Sequence, residues 1–98
     1  MRTIDERCWN QNQSWNYLSI HCDDQGNRFR VDIRRNAHDD QSHTKVEIWR
    51  REGWVFVHSI PIQQCFAAKV CCTDKKAPTD VMRDVAKTLL RLAKEIID

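Results

Sequence analysis

The chain has 98 residues, with 16 basic and 14 acidic side chains for a net charge of +2, a balance that excludes wholesale coating of nucleic acid but leaves room for a local basic patch. A hydrophobic fraction of 41% in periodic runs, with two Gly and two Pro, excludes a disordered tail and fits one small domain over residues 1–98. No apolar run is long enough to cross a bilayer, and residues 1–13 lack the hydrophobic stretch of a signal peptide, so the expected compartment is the cytoplasm.

Residues 1–13 (MRTIDERCWNQNQ) are polar and weakly patterned, with Ile4 and Trp9 as bulky apolar anchors. They read as an N-terminal arm. A first strand is expected over 15–23, with Leu18, Ile20 and Cys22 on one face and Trp15, Tyr17, Ser19 and His21 on the other. Gln25-Gly26 reads as a tight turn. The second strand, 27–35, alternates cleanly: Phe29, Val31 and Ile33 on one face, Arg28, Arg30, Asp32 and Arg34 on the other. A two-residue turn places Cys22 opposite Phe29, Ile20 opposite Val31 and Leu18 opposite Ile33, so that all six apolar residues share a face.

Residues 36–43 (NAHDDQSH) are a polar loop. Two further strands, 44–51 and 54–59, flank Glu52-Gly53 and form a second hairpin, with Trp49 opposite Phe56 and Ile48 opposite Val57. Val46, Ile48, Val55 and Val57 then occupy one face; Trp49, Trp54 and Phe56 occupy the other. Pro61 ends the fourth strand. Residues 61–77 read as an irregular or short-helix connection, with 62–72 open between helix and strand.

From residue 79 the pattern is helical. Pro78 and Thr79 give a start signal, and Asp80 and Asp84 lie at the positive end of the helix dipole. Val81, Val85, Leu89, Leu92 and Ile96 recur at spacings of four, four, three and four, widened by Met82, Ala86, Ala93 and Ile97. Burying the main anchors contributes on the order of 10 kcal/mol before entropy is subtracted. The expected fold is therefore α+β: a four-stranded antiparallel meander of two hairpins, packed on one face by a long C-terminal amphipathic helix.

That leaves an outer face of Trp15, Tyr17, Arg28, Arg30, Arg34, Trp49, Arg51, Trp54 and Phe56. Aromatics and Arg are enriched at the centres of protein interfaces, and monomers seldom expose large apolar patches. The expected function is a small interaction module, self-associating as a dimer or capped through this face by residues 1–13 or 61–77. Rings interleaved with cations also suit single-stranded nucleic acid, which is the alternative from another class. Gly53-Trp54-Val55-Phe56-Val57 resembles part of the aromatic strand motif of RNA-recognition domains, departing from it at Glu52, Val55 and Ser59; the resemblance implies base stacking and covers five residues. A small-molecule pocket between the sheet and a covering segment is a third, weaker option.

No catalytic activity, cofactor or metal is expected. The five cysteines lack a C-x-x-C pair and read as reduced thiols. His21 and Cys22 are strand neighbours and point to opposite faces, so they form no dyad. His38, Asp39, Asp40 and His43 read as solvated loop. With Gly26 and Gly53 both at turns, no phosphate-cradling loop can form.

Overall fold

The computed structural model describes residues 1–12, 14–36, 41–61 and 78–98, the side chain of Pro78 excepted. They form one antiparallel sheet of five strands in chain order, β1 (Arg2–Gln11), β2 (Ser14–Cys22), β3 (Arg28–Asn36), β4 (His43–Arg50) and β5 (Gly53–His58), followed by one C-terminal helix, α1 (Pro78–Ile97). The class is α+β. Residues 62–77 of the expected connection over 61–77, including the stretch 62–72, lie outside the described residues, as do 37–40 of the expected polar loop.

The sheet has five strands where four were expected. Where an arm was expected over 1–13, Arg2–Gln11 form an edge strand, and β1 pairs with β2 from Arg2↔Cys22 to Gln11↔Ser14. Its inward-facing side chains (Thr3, Glu6 and Cys8) pair with His21, Ser19 and Tyr17 across the ladder, so polar partnerships replace the apolar alternation that marks a strand in sequence. Ile4 is the extra residue of a bulge between Thr3 and Asp5.

The register of β2 corrects the expected one by a single residue. His21 faces Phe29, Ser19 faces Val31 and Tyr17 faces Ile33. The connection is the five-residue stretch 23–27 instead of the two-residue turn at Gln25-Gly26. Asp23 builds it: its Oδ1 accepts the Gln25 amide at 3.0 Å and the Asn27 amide at 2.8 Å, and its own N–H donates to the Asn27 carbonyl at 3.0 Å. Gly26, at φ 83°, supplies the left-handed residue. A one-residue slip turns every side chain of a strand over. Tyr17, Ser19 and His21 thus lie inward and buried, while Leu18, Ile20 and Cys22 lie outward and half-buried.

The second hairpin also differs from expectation, but by two residues. Its turn is Arg51-Glu52, at φ 49° and 68°, the paired left-handed residues of a type I′ turn. Trp49 faces Trp54, Ile48 faces Val55 and Glu47 faces Phe56. An even slip leaves faces unchanged, so Trp49, Trp54 and Phe56 remain outward as expected.

The core joins Tyr17, Phe29, Val31, Ile33, Val46 and Ile48 of the sheet to Met82, Val85, Ala86, Leu89, Leu90 and Ala93 of α1. Val85 and Leu89 of the expected stripe of α1 are buried, as are Met82, Ala86 and Ala93 beside it; the stripe is rotated toward Leu90, which is also buried, whereas Val81 and Leu92 are half-buried and Ile96 is 55% exposed. Ala86 and Leu90 lie on the side of the helix toward β1, where they line a cleft with Thr3 and Glu6 of β1 and Tyr17 and His21 of β2.

Candidate interaction surface

The outer face of the sheet is where the sequence-based site residues were expected together, and the structure divides them. Trp49 and Phe56 are outward and 42% and 60% exposed; Trp54 is half-buried between them and meets Trp49 edge-to-face at 5.2 Å. Arg30 lies on the same face, its guanidinium 4.7 Å from the Trp54 ring centroid and 2.8 Å from Glu47. Arg28 and Arg34 alternate with it on β3. Arg34 donates to the Ser14 hydroxyl at 3.4 Å.

Three expected members are elsewhere. Tyr17 is 1% exposed in the core, and Trp15 packs against that core, both because of the register of β2. Arg51 stands at the hairpin tip, in the turn itself. In their place the register brings Leu18 and Ile20 outward, and β1 contributes Trp9 and Arg7, stacked at 5.0 Å. The signal for these last two was present in the sequence only as an isolated Arg-x-Trp.

Besides Arg30, two further basic residues of this face have acidic partners. Lys45 is 3.9 Å from Asp32 and 4.0 Å from Glu47, and His43 is 3.4 Å from Asp32. The His43 contact, ahead of the opposing effect of burial, holds the Asp32 carboxyl below the usual carboxylate range. What the face offers a partner is therefore apolar and aromatic at its β4–β5 side and charge-balanced at its centre.

A second polar cluster, which the sequence reading missed, lies on the inner side where β1 and β2 meet α1. Arg83 forks onto Glu6, donating at 2.9 and 2.6 Å, and the Tyr17 hydroxyl donates to the same carboxylate at 2.7 Å. The Arg83 fork, then the Tyr17 bond, hold Glu6 down at about 2; burial and the Glu6 bond push Tyr17 up to about 12. The His21 ring is bounded by the Thr3 hydroxyl at 3.1 Å and the Ser19 hydroxyl at 2.7 Å. A neutral imidazole donates at one nitrogen and accepts at the other, and either hydroxyl can serve both roles. Burial lowers the pKa of His21, favouring that neutral form. At the other end, burial acts to raise Asp23, but Lys94 at 2.8 Å, with Asn27 and Gln25, outweighs it and keeps the carboxyl far below its usual range.

The pH dependence follows from these directions. His21 is neutral in the folded chain and charges in the unfolded chain below about pH 6.5, so its contribution is present above that pH and declines below it. Glu6 and Asp23 have depressed folded values, so their contribution is present above the ordinary carboxylate range and lost as pH falls through it toward 2. The urea midpoint is expected to fall in two stages on acidification, and Glu6→Gln should flatten only the lower one. A midpoint unchanged between pH 7 and pH 3 would contradict both ion-pair assignments.

Among the described residues, no group of three or more His, Cys, Asp or Glu side chains is placed to hold a metal ion, and no helix is long and apolar enough to cross a membrane. Cys8 and Cys22 are free thiols. A scan against protein-family models finds no match, and searches of curated proteins and of solved structures find none.

Proposed function

We propose that this chain is a self-associating interaction module in which two copies join through the β5 edge and the aromatic patch beside it, without a catalytic step. One observation carries the reading. β5 is an outer strand of the sheet, carries no Asp, Glu, Lys or Arg, and exposes Phe56 at 60% on one face and Val55 at 49% on the other. Charges, prolines and bulges are the usual protection of such edges; here the bulge beside Val57 and Pro61 lie at one end, and among the described residues nothing guards Trp54-Val55-Phe56.

The occupant proposed is a second copy. A two-fold axis perpendicular to the sheet keeps outer face beside outer face, which requires each residue to pair with one of its own face. Pairing Val55 with Val55 of the second copy meets that condition. It places Trp54 opposite Phe56 twice, as aromatic cross-strand pairs worth roughly 0.2–1 kcal/mol each. No like charges are brought together.

Sedimentation equilibrium tests this. A dimer is expected that persists at high salt, because apolar burial is not weakened by it, and Phe56→Lys should give a folded monomer. A monomeric wild type, or a dimer unaffected by both Phe56→Lys and Val55→Lys, would refute the interface. If the protein instead stays monomeric and binds single-stranded oligonucleotides with steep salt dependence, abolished by Arg28→Ala plus Arg30→Ala, the nucleic-acid reading replaces this one.

A further inference from the structure

The helix α1 packs chiefly over β2 to β5 and leaves a cleft of about 580 Å³ toward β1, whose lining includes Met1, Glu6 and Tyr17 on the sheet side and Ala86, Lys87 and Leu90 on the helix side. That volume falls within the roughly 300–1,000 Å³ of small-molecule sites. Its floor is apolar: Leu90, the Tyr17 ring and the small Ala86, whose methyl group leaves the space open. Its rim is cationic. Arg83, Lys87, Arg91 and Lys94 recur at spacings of four, four and three, one stripe of a helix.

These four cations are not equivalent. Arg83 is spent on Glu6, and Lys94 on Asp23 at 2.8 Å. Arg91 has only an exposed partner, Glu95, at 3.4 Å, and the Lys87 ammonium has no ion pair among the described residues. The cleft thus pairs an apolar floor with two cations at its mouth, Lys87 without an ion pair among the described residues and Arg91 held by the exposed Glu95 alone, while Glu6, the carboxylate that lines it among the described residues, is held by Arg83 and Tyr17.

We propose that this cleft binds a small amphipathic anion, a short aliphatic carboxylate being the simplest member of the class, with its tail on Leu90, Ala86 and Tyr17 and its charged head between Lys87 and Arg91. The site is independent of the β5 edge and stands or falls separately from it. The Lys and Arg stems also contribute apolar area to the mouth, which suits a ligand with a continuous tail over a compact polar one.

The test is a titration of the ¹⁵N-labelled protein followed by amide shifts, with three probes: octanoate, octanol with the same tail and no charge, and acetate with the charge and no tail. Octanoate is expected to shift the amides of Thr3, Ala86 and Leu90 saturably, octanol to bind roughly tenfold more weakly (about 1.4 kcal/mol), and acetate to leave these amides unmoved. Lys87→Gln combined with Arg91→Gln, both on exposed positions, should retain the dispersed spectrum, weaken octanoate roughly tenfold and leave octanol unchanged. Octanol binding as tightly as octanoate, acetate producing the same shifts, or octanoate shifts that do not saturate or that centre on Phe56 would each overturn the proposal. So would co-sedimentation with phosphatidylglycerol vesicles that the double variant abolishes, since the cations would then serve a lipid surface instead of a free ligand.

Discussion

Leu89→Ala is expected to lower the unfolding free energy by about 2–5 kcal/mol, the range for emptying a buried leucine site whose surroundings collapse only partly. Leu89 is fully buried where α1 meets the sheet. The β-branched and aromatic residues of β3 and β4 that share its cluster are held by their ladders and cannot move far to fill the void. Lys87→Ala, two residues away on an exposed position, is expected to change stability by no more than about 0.5 kcal/mol. Urea denaturation of the two variants at pH 7 makes the comparison, and equal midpoints would show that Leu89 does not anchor the helix.

Asp23→Ala is expected to cost about 2–4 kcal/mol, between the figures for hydrogen bonds to a charged group and for breaking a buried ion pair. The side chain is 5% exposed and serves four donors: the amides of Gln25 and Asn27, the Asn27 side-chain amide, and Lys94. Asp23→Asn keeps an oxygen for the two backbone amides but removes the charge facing Lys94, so its cost should be clearly smaller. If both substitutions are as mild as Lys94→Met alone, neither the loop nor the register of β2 depends on Asp23.

That register shows how far the sequence could be read. The alternation of Phe29, Val31 and Ile33 was plain, as was the helical spacing from Val81 onward, because both rest on apolar periodicity. The facing of β2 was not, since two apolar sets of comparable weight compete on that strand: Leu18, Ile20 and Cys22 against Trp15 and Tyr17. Apolar matching favoured the first set. The choice actually turns on the hydrogen bonds that one carboxylate makes within its own loop, an effect that hydropathy does not register. β1 escaped notice for a related reason, because its inward residues Thr3 and Glu6 are satisfied by side chains from β2 and from α1, 77 residues away in the case of Glu6 and Arg83. The outer aromatic trio was legible because an even slip in the second hairpin left its facing intact. The cleft was not, since it exists only where the unforeseen strand meets the rotated helix.

The two ion pairs that fasten α1 to the sheet join residues 77 and 71 positions apart, whereas every strand pairs with its immediate successor. Loop-closure entropy therefore favours the hairpins zipping up before the helix returns. During that interval the sheet would be greasy on both sides: Phe29, Val31, Ile33, Val46 and Ile48 on the face awaiting its cover, and Trp49, Trp54 and Phe56 on the other. Helix docking is then the step at which the chain is most vulnerable to sticking to its neighbours. A variant such as Leu89→Ala should lose refolding yield as protein concentration rises, beyond what its equilibrium stability alone would account for; a yield independent of concentration would argue against this order of events.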